Sequence, residues 1–244
     1  MPNRPKAWLA WSSGKDSAWA LHTVRQAGDY EIVALLTTIN RTHARVAMHA
    51  VRENLVELQA AATELPLVKV PIPAFCRNED YERAMSDAMA RARAEGVSHI
   101  VFGDLFLEDI RAYREKQLGS CGMTGVFPLW RRNTRRLSEE MLAGGLSAYV
   151  TCVDPAKLDR SFAGRRFSAE MIEALPRGVD PCGENGEFHT FACGGPIFKC
   201  AIPVTVGDIV ERDGFVFADL LWEDLPLRRD DAIAAAGGQS GGRI

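Results

Sequence analysis

The most constraining feature of the sequence is an apolar, strand-like run at residues 7–11 that leads directly into the small polar turn Ser12-Ser13-Gly14-Lys15-Asp16-Ser17. Residues 18–22 then have the composition of the first turns of a helix. A strand that ends in a tight turn and feeds a helix presents backbone N–H groups and the positive end of a helix dipole at one point. This arrangement predicts a phosphate-binding loop. The alternative is a polar turn in which Asp16 only caps the helix.

The side chains of this turn suit a phosphate group and a metal ion. Lys15 adds a positive charge, and Ser12 and Ser17 add hydroxyl donors. Asp16 would repel a phosphate unless it caps the helix or helps to hold Mg²⁺. The spacing excludes the kinase-type P-loop, because an acid follows Gly14-Lys15 and no glycine stands five residues before Gly14.

Strand-like and helix-like runs alternate through the first half of the chain. Strand composition occurs at residues 31–38, 67–70 and 98–104, and helical composition at residues 49–62 and 79–95. Strands separated by helices of this length indicate a parallel sheet with right-handed crossovers, here a doubly wound α/β fold. Ligands on such sheets bind at the carboxyl ends of the strands. We therefore expect Thr37, Gly103 and Asp104 to share one cleft with the turn at residues 12–17.

The second half of the chain predicts a smaller α+β part. Helices are expected at residues 134–143 and 168–175, a strand at 146–153, and a hairpin with Asp213-Gly214 at its turn. We place a nucleotide-binding domain at residues 1–125 and the smaller part at 126–225, with no linker between them. Residues 226–244 are polar and glycine-rich, which predicts a flexible tail.

A second group of reactive side chains lies in the glycine-rich segment at residues 182–191, Cys-Gly-Glu-Asn-Gly-Glu-Phe-His-Thr-Phe. Glu184 or Glu187 could act as a general base, and His189 could transfer a proton near neutral pH. Two interpretations of the segment stay open beside catalysis: polar residues that only cap a turn, and a Cys182 side chain that is buried rather than reactive. A zinc site fits less well, because tight Cys-x-x-Cys pairs are absent.

Composition narrows the class of protein. The chain has 244 residues, 47% hydrophobic and 25% charged, which suits one large domain or two small ones. Its net charge of −3 gives no general reason to expect a nucleic-acid partner. No signal peptide or membrane span is predicted, and six scattered cysteines indicate reduced thiols. We expect a cytoplasmic protein, and the sequence is compatible with a homodimer without requiring one.

The string Ser-x-Gly-Lys-Asp-Ser resembles the PP-loop of the ATP pyrophosphatase superfamily, the adenine-nucleotide α-hydrolase-like enzymes. The superfamily usually has glycine where this chain has Ser13. Two further segments narrow the resemblance to the diphthine–ammonia ligase family: residues 128–133 followed by Glu140-Met141, and residues 182–191 followed by Gly-Pro-Ile-Phe at 195–198. The match runs from about residue 7 to residue 222, nearly the whole chain.

This resemblance implies an ATP-dependent amide ligase with an α/β nucleotide-binding fold and an acceptor-binding part at residues 126–225. In the family, the carboxylate of diphthine, a modified histidine of elongation factor 2, is adenylated with release of pyrophosphate, and ammonia then displaces AMP. The ATP-binding residues are expected to be Ser12, Ser13, Gly14, Lys15, Asp16, Ser17, Thr37, Gly103 and Asp104, with Asp16 also holding Mg²⁺. The catalytic residues are expected to be Lys15, Asp16, Glu184, Glu187 and His189. The acceptor is expected to contact Arg111, Glu115, Cys182, Gly183 and Thr190.

The chain departs from the eukaryotic and archaeal pattern after Gly103, where Leu107, Asp109 and Ile110 replace polar or aromatic residues. These departures make it most similar to the short bacterial members of the family. Bacterial elongation factors carry no diphthamide, so the resemblance extends to the chemistry more securely than to the acceptor.

Two other functions remain open, a PP-loop enzyme that modifies tRNA and an ATP-binding sensor without catalysis. The four arginines within Arg131–Arg136 could bind RNA or phosphate, although such runs are usually solvated helix faces. Arg111 could clamp a carboxylate or could simply pair with Glu115 along a helix.

Overall fold

The computed structural model describes residues 4–40, 45–46, 51–73 and 76–223. Its elements, in chain order, are β1 (Lys6–Ala10), α1 (Lys15–Ala27), β2 (Glu31–Asn40), β3 (Arg45–Val46), α2 (Glu53–Thr63), β4 (Leu67–Ile72), α3 (Asn78–Ala94), β5 (Val97–Val101), α4 (Glu108–Ser120), β6 (Thr124–Val126), α5 (Thr134–Ala143), β7 (Ser147–Val153), α6 (Ala169–Glu173), β8 (Phe188–Gly194), β9 (Val204–Arg212) and β10 (Phe215–Trp222). The tail predicted at residues 226–244 lies outside the described residues.

The first sheet has five parallel strands in the order β4-β2-β1-β5-β6, and β3 pairs antiparallel with the end of β2. Strand β1 is buried on both faces, because Leu9 belongs to one apolar cluster and Trp8 to another. Helices α1 and α2 contribute to the cluster of Leu9, and α3 and α4 contribute to that of Trp8. This arrangement confirms the predicted doubly wound α/β fold.

Strands β7 to β10 form a second, antiparallel sheet in the order β8-β7-β10-β9. Its inner face has no separate core, since Val150 and Phe191 are fully buried in the same cluster as Leu9. The C-terminal α+β part therefore packs directly on the α1–α2 side of the first sheet. Within the described ranges, no helix is long and apolar enough to cross a membrane.

The sequence predictions lack strands β3, β6 and β8 and give no bounds for helix α4. Strand β3 has only two residues. Strand β6 has only three residues. Helix α4 buries only Leu118, so its sequence lacks an apolar period. Strand β8 begins at Phe188, directly after a turn that contains Gly183 and Gly186, and these glycines favour a loop over a strand in the sequence. The helix predicted at 49–62 begins at Glu53, and residues 49–50 lie outside the described part of the chain.

Candidate active site

The loop between β1 and α1 has a backbone that few residues adopt. Ser13 has a φ of +70°, in the left-handed region, and its side chain is fully buried. Glycine adopts this conformation without steric cost, which is a physical reason for the glycine that PP-loops usually have here. The Ser17 hydroxyl donates to the carbonyl oxygen of Gly14 (2.9 Å), and Ser12 Oγ accepts from the Gly14 N–H (3.3 Å). These bonds hold the turn against the N-terminus of α1.

Gly103, just after β5, lies directly against this loop. A Cβ atom at Gly103 would stand 2.8 Å from the backbone carbon of Asp16 and 2.9 Å from the backbone nitrogen of Ser17. These neighbours are main-chain atoms, which cannot move aside without shifting the first turn of α1. The absence of a side chain at Gly103 therefore lets the end of β5 and the loop at residues 12–17, the nucleotide loop, share one edge of the sheet.

Lys15 joins the loop to the C-terminal part. Its buried ammonium donates to Asp16 Oδ2 (2.8 Å) and to the carbonyl oxygen of Cys182. The rings of Phe167 and Phe188 face the same ammonium, with centroids 5.7 and 5.4 Å away. Burial alone would lower the pKa of Lys15, but the neighbouring anions, Asp16 foremost, outweigh it and raise that pKa, so the lysine stays charged. Burial also raises the pKa of Asp16, against the attraction of Lys15.

Glu184 reaches from the glycine-rich segment to the chain after β5. Its Oε1 accepts a hydrogen bond from the N–H of Leu105 (2.7 Å) and a longer one from that of Phe106 (3.4 Å). Burial raises the pKa of Glu184 to about 7, the Leu105 hydrogen bond opposes this rise, and the negative charges of Asp16 and Asp104 add to it. A carboxyl group with this pKa can take up and release a proton at neutral pH.

Glu187 has a different environment from Glu184. It is 3% exposed and lies outside the cavity lining, and its Oε1 accepts hydrogen bonds from the Asp180 N–H (2.9 Å) and from Asn185 Nδ2 (3.1 Å). These contacts hold the turn. Gly183 allows the same turn, because it has a φ of +70° and a Cβ there would stand 2.7 Å from the Phe188 carbonyl oxygen. The catalytic role of Glu187 stays a prediction.

The remaining predicted residues of the segment at 182–191 are Cys182, His189 and Thr190, and they contact the nucleotide loop or line the cavity. Thr190 Oγ1 accepts a hydrogen bond from the Lys15 N–H (3.1 Å) and so caps α1 from a distant strand. His189 lines the cavity, and burial and the nearby Lys15 lower its pKa to about 4, so its ring is neutral at pH 7. The Cys182 thiol is buried and donates to the Thr134 carbonyl oxygen (3.4 Å), and burial raises its pKa, so Cys182 contributes its carbonyl oxygen rather than a reactive thiolate.

These groups surround a cavity of about 620 Å³. The predicted residues that line it are Ser12, Lys15, Asp16, Ser17, Thr37, Gly103, Asp104, Cys182, Gly183, Glu184, His189 and Thr190. Helices α3 and α4 contribute a further wall that the sequence did not predict, lined by Tyr81, Glu82, Met85, Met89, Tyr113, Arg114 and Gln117. The spacing of Tyr81, Met85 and Met89, four residues apart on one helix face, is the signal that could have identified that wall.

Arg111 and Glu115 do not line this cavity. They form an ion pair (2.8 Å) beside a separate shallow depression, and the Arg111 guanidinium stacks on the rings of Phe127 and Trp130 at 4.7 Å. The arginine that does line the main cavity is Arg114, whose side chain is bound to Asp104 (Nε to Oδ2, 2.6 Å). Contact of Arg111 and Glu115 with the acceptor stays a prediction.

The arginine run at Arg131–Arg136 is largely neutralised. Arg131 pairs with Glu108 (2.6 Å), Arg132 with Glu140, and Arg135 with Glu139 (3.0 Å). Three of the four arginines thus have a carboxylate partner, and this matches a solvated helix face better than an RNA-binding surface.

The cavity suits a nucleotide and a magnesium ion. Thr37 Oγ1 is buried in its wall without a hydrogen-bond partner in the described part of the chain, which leaves a polar group for a ligand to satisfy. No group of three His, Cys, Asp or Glu side chains arranged for a metal occurs among the described residues. Mg²⁺ is usually bound by one or two carboxylates together with substrate phosphates, and Asp16 fits that mode.

The fold and the loop define an α/β nucleotide-binding protein of the PP-loop type. Family comparisons narrow this class: the diphthamide synthase N-terminal domain matches residues 5–125, and the diphthamide synthase C-terminal domain matches residues 133–218. The chain belongs to the diphthamide synthase family.

Its relatives include diphthine–ammonia ligases from two vertebrates and one fungus. The protein from Bos taurus is 25% identical, and the alignment covers 91% of this chain and 92% of that protein. The protein from Danio rerio is 28% identical, with 85% of this chain and 89% of that protein covered. The protein from Schizosaccharomyces pombe is 26% identical over 82% of this chain, but over only 36% of its own length.

Proposed function

We propose that the protein is an ATP-dependent carbon–nitrogen ligase that adenylates the carboxylate of an acceptor and transfers ammonia to it. The observation that best supports this function is the meeting of two distant segments at one cavity. The nucleotide loop at residues 12–17 and the segment at residues 182–191 are joined by the hydrogen bond from Lys15 to Cys182. The names of the relatives, diphthine–ammonia ligases, agree with this chemistry.

In the first step, an oxygen of the acceptor carboxylate bonds to the α-phosphorus of ATP. The bond between the α-phosphorus and its bridging oxygen breaks, and pyrophosphate leaves with that oxygen. Loop amides, the Ser12 and Ser17 hydroxyls and the charge of Lys15 stabilise the negative charge that develops on the leaving group. Mg²⁺ held by Asp16 would neutralise part of the same charge.

In the second step, the nitrogen of ammonia bonds to the activated carbonyl carbon, and AMP leaves as the carbon–oxygen bond breaks. The nitrogen must lose a proton to become a neutral amide. Glu184 is the proton acceptor in this proposal, because it lines the cavity and has a pKa of about 7. Neutral His189 would orient the acceptor by hydrogen bonding rather than by charge.

The identity of the acceptor and the place of the reaction belong to the same proposal. We infer a carboxylate acceptor, either a small molecule or a group carried on a protein, and free ammonia as the second substrate in the cytoplasm. Diphthine is the first acceptor to test, because the relatives are named for it. A tRNA acceptor has little support, since the arginine run is mostly ion-paired.

The direct test supplies the purified protein with ATP, Mg²⁺ and ¹⁵N-ammonium. One reaction contains elongation factor 2 carrying diphthine, and a parallel reaction contains a small-molecule extract. Mass spectrometry should detect a ¹⁵N-labelled amide in one of them, formed together with AMP.

The matched control is Asp16→Asn, which keeps the shape of the side chain and removes its charge. This variant should give no labelled amide. ATP binding without AMP in either reaction would contradict a ligase and favour a nucleotide sensor.

A further inference from the structure

Gln59 is a fully buried polar residue of α2 that lies behind the nucleotide loop. Its side-chain oxygen accepts a hydrogen bond from Trp11 Nε1 (2.8 Å). Its Nε2 donates to the carbonyl oxygens of Ser13 (2.9 Å) and Ala192 (2.6 Å). An indole N–H can only donate and a carbonyl oxygen can only accept, so the amide has a single possible orientation.

The three partners of Gln59 belong to three different parts of the molecule. Trp11 directly follows the central strand β1 and lines the cavity, Ser13 lies in the nucleotide loop, and Ala192 lies in β8 of the C-terminal sheet. The Ala192 N–H also donates to the Ser13 carbonyl oxygen (2.9 Å), so that oxygen accepts two hydrogen bonds. One side chain thus connects the strand end, the loop and the C-terminal part.

Ser13 is the partner that needs this support. A non-glycine residue in the left-handed region is strained and persists only where its surroundings hold it. The two hydrogen bonds to the Ser13 carbonyl oxygen fix the plane of the peptide between Ser13 and Gly14. That plane carries the Gly14 N–H, which donates to Ser12 Oγ (3.3 Å), so it also affects where the Ser12 hydroxyl lies at the cavity.

We propose that Gln59 is a positioning residue for nucleotide binding: it holds Ser13 in the left-handed conformation and thereby sets the Ser12 hydroxyl and the start of α1 for the phosphates of ATP. The inference rests on the proposed function, in which this loop binds ATP. Gln59 itself does not line the cavity, so its effect is transmitted through Ser13 and Trp11.

The test measures the dissociation constant of α,β-methylene-ATP with Mg²⁺ by calorimetry, in four versions of the full chain. The versions are the natural chain, Gln59→Met, Ser13→Gly and the double variant. Gln59→Met removes the hydrogen bonds to Trp11, Ser13 and Ala192, and we expect this loss to weaken binding of the analogue by about tenfold. Glycine adopts the left-handed conformation unaided, so the same substitution in the Ser13→Gly background should weaken binding by only about threefold or less.

Equal losses in the two backgrounds would overturn the inference, because they would show that Gln59 acts on binding independently of Ser13. The matched control is Thr63→Val, one turn further along α2, whose buried hydroxyl donates only to the Ala60 carbonyl oxygen (2.9 Å). Thr63→Val should bind the nucleotide within about twofold of the natural chain, since it lowers stability without touching the loop. A tenfold loss in this control would show that any defect in α2 has the same effect and would also overturn the inference.

If Gln59→Met does not fold, Gln59→Glu replaces it. A carboxylate there would face two carbonyl oxygens, whereas the protonated acid would again supply a donor. The dissociation constant of Gln59→Glu, divided by that of the natural chain at the same pH, should therefore decrease as the pH falls. A ratio that does not change with pH would contradict the role of Gln59 as a donor. Failure of the natural chain itself to bind the analogue would instead remove the proposed function.

Discussion

Gly103 carries the sharpest steric requirement of the site. Alanine there would place Cβ within 2.9 Å of main-chain atoms of Asp16 and Ser17, so Gly103→Ala should displace the start of α1. We expect the affinity for ATP to fall by at least about tenfold, measured by calorimetry. Gly119 is the control, because a Cβ there meets no atom within 4 Å and Gly119→Ala should bind ATP like the natural chain. Equal affinities for the two variants would show that the close approach at Gly103 is not needed.

Glu184 should give the reaction a pH dependence. Its pKa is raised to about 7, mainly by burial, so the fraction able to accept a proton, and with it kcat/KM, should rise as pH increases through about 7. Glu184→Gln keeps an oxygen for the Leu105 N–H but cannot take a proton. We expect it to lower the rate by roughly 10²- to 10⁴-fold and to abolish the inflection near pH 7.

The same group predicts an opposite trend in stability. The pKa of Glu184 is raised from its ordinary value of 4.5, so the folded state binds more protons than the unfolded state between pH 4.5 and about 7. The contribution of Glu184 to the free energy of unfolding should therefore decrease as pH rises through this window. Denaturant titrations of the natural chain and Glu184→Gln should show this difference in slope, and parallel curves would contradict a raised pKa.

At the scale of elements, the turn before β8 determines how the C-terminal part meets the nucleotide loop. Gly183→Ala combines a left-handed backbone with a Cβ 2.7 Å from the Phe188 carbonyl oxygen, whereas Gly178→Ala has only the left-handed backbone. We expect Gly178→Ala to lower the free energy of unfolding by about 1 kcal/mol. Gly183→Ala should lower it by more, by about 3 kcal/mol, and should also weaken ATP binding. Equal values in chemical denaturation would show that the turn tolerates a side chain.

The elements also show which signals a sequence can carry. The nucleotide loop, the strand that carries Thr37 and the strand that precedes Gly103 could be predicted, because buried parallel strands are apolar runs and their carboxyl ends share one edge. The bounds of helix α4 could not be predicted, because only Leu118 is buried on it and it has no apolar period, although the spacing of Arg111 and Glu115 indicates a helix. Which arginine of α4 reaches the cavity depends on the rotation of the helix against the sheet. Arg114 rather than Arg111 lines it for this reason.

The whole molecule depends on contacts that join residues far apart in sequence. Lys15 with Cys182, Lys15 with Thr190, Leu105 with Glu184, and Gln59 with Ala192 all cross between the two halves of the chain. No periodicity predicts such pairs, which explains why the sequence identified both halves of the site but not Gln59, which is one of the residues that connect them. The nucleotide loop and the segment at residues 182–191 thus form one structural unit.

The proposed ligase cleaves ATP at the α-phosphorus, and the nucleotide product shows which phosphorus has reacted. The measurement is ³¹P NMR of the protein with ATP, Mg²⁺, ammonium and the acceptor that gives a labelled amide, with Asp16→Asn alongside. We expect AMP and pyrophosphate in equal amounts, formed in step with the amide and absent in the variant. Formation of ADP and inorganic phosphate by the natural chain would contradict this expectation, because cleavage would then occur at the γ-phosphorus.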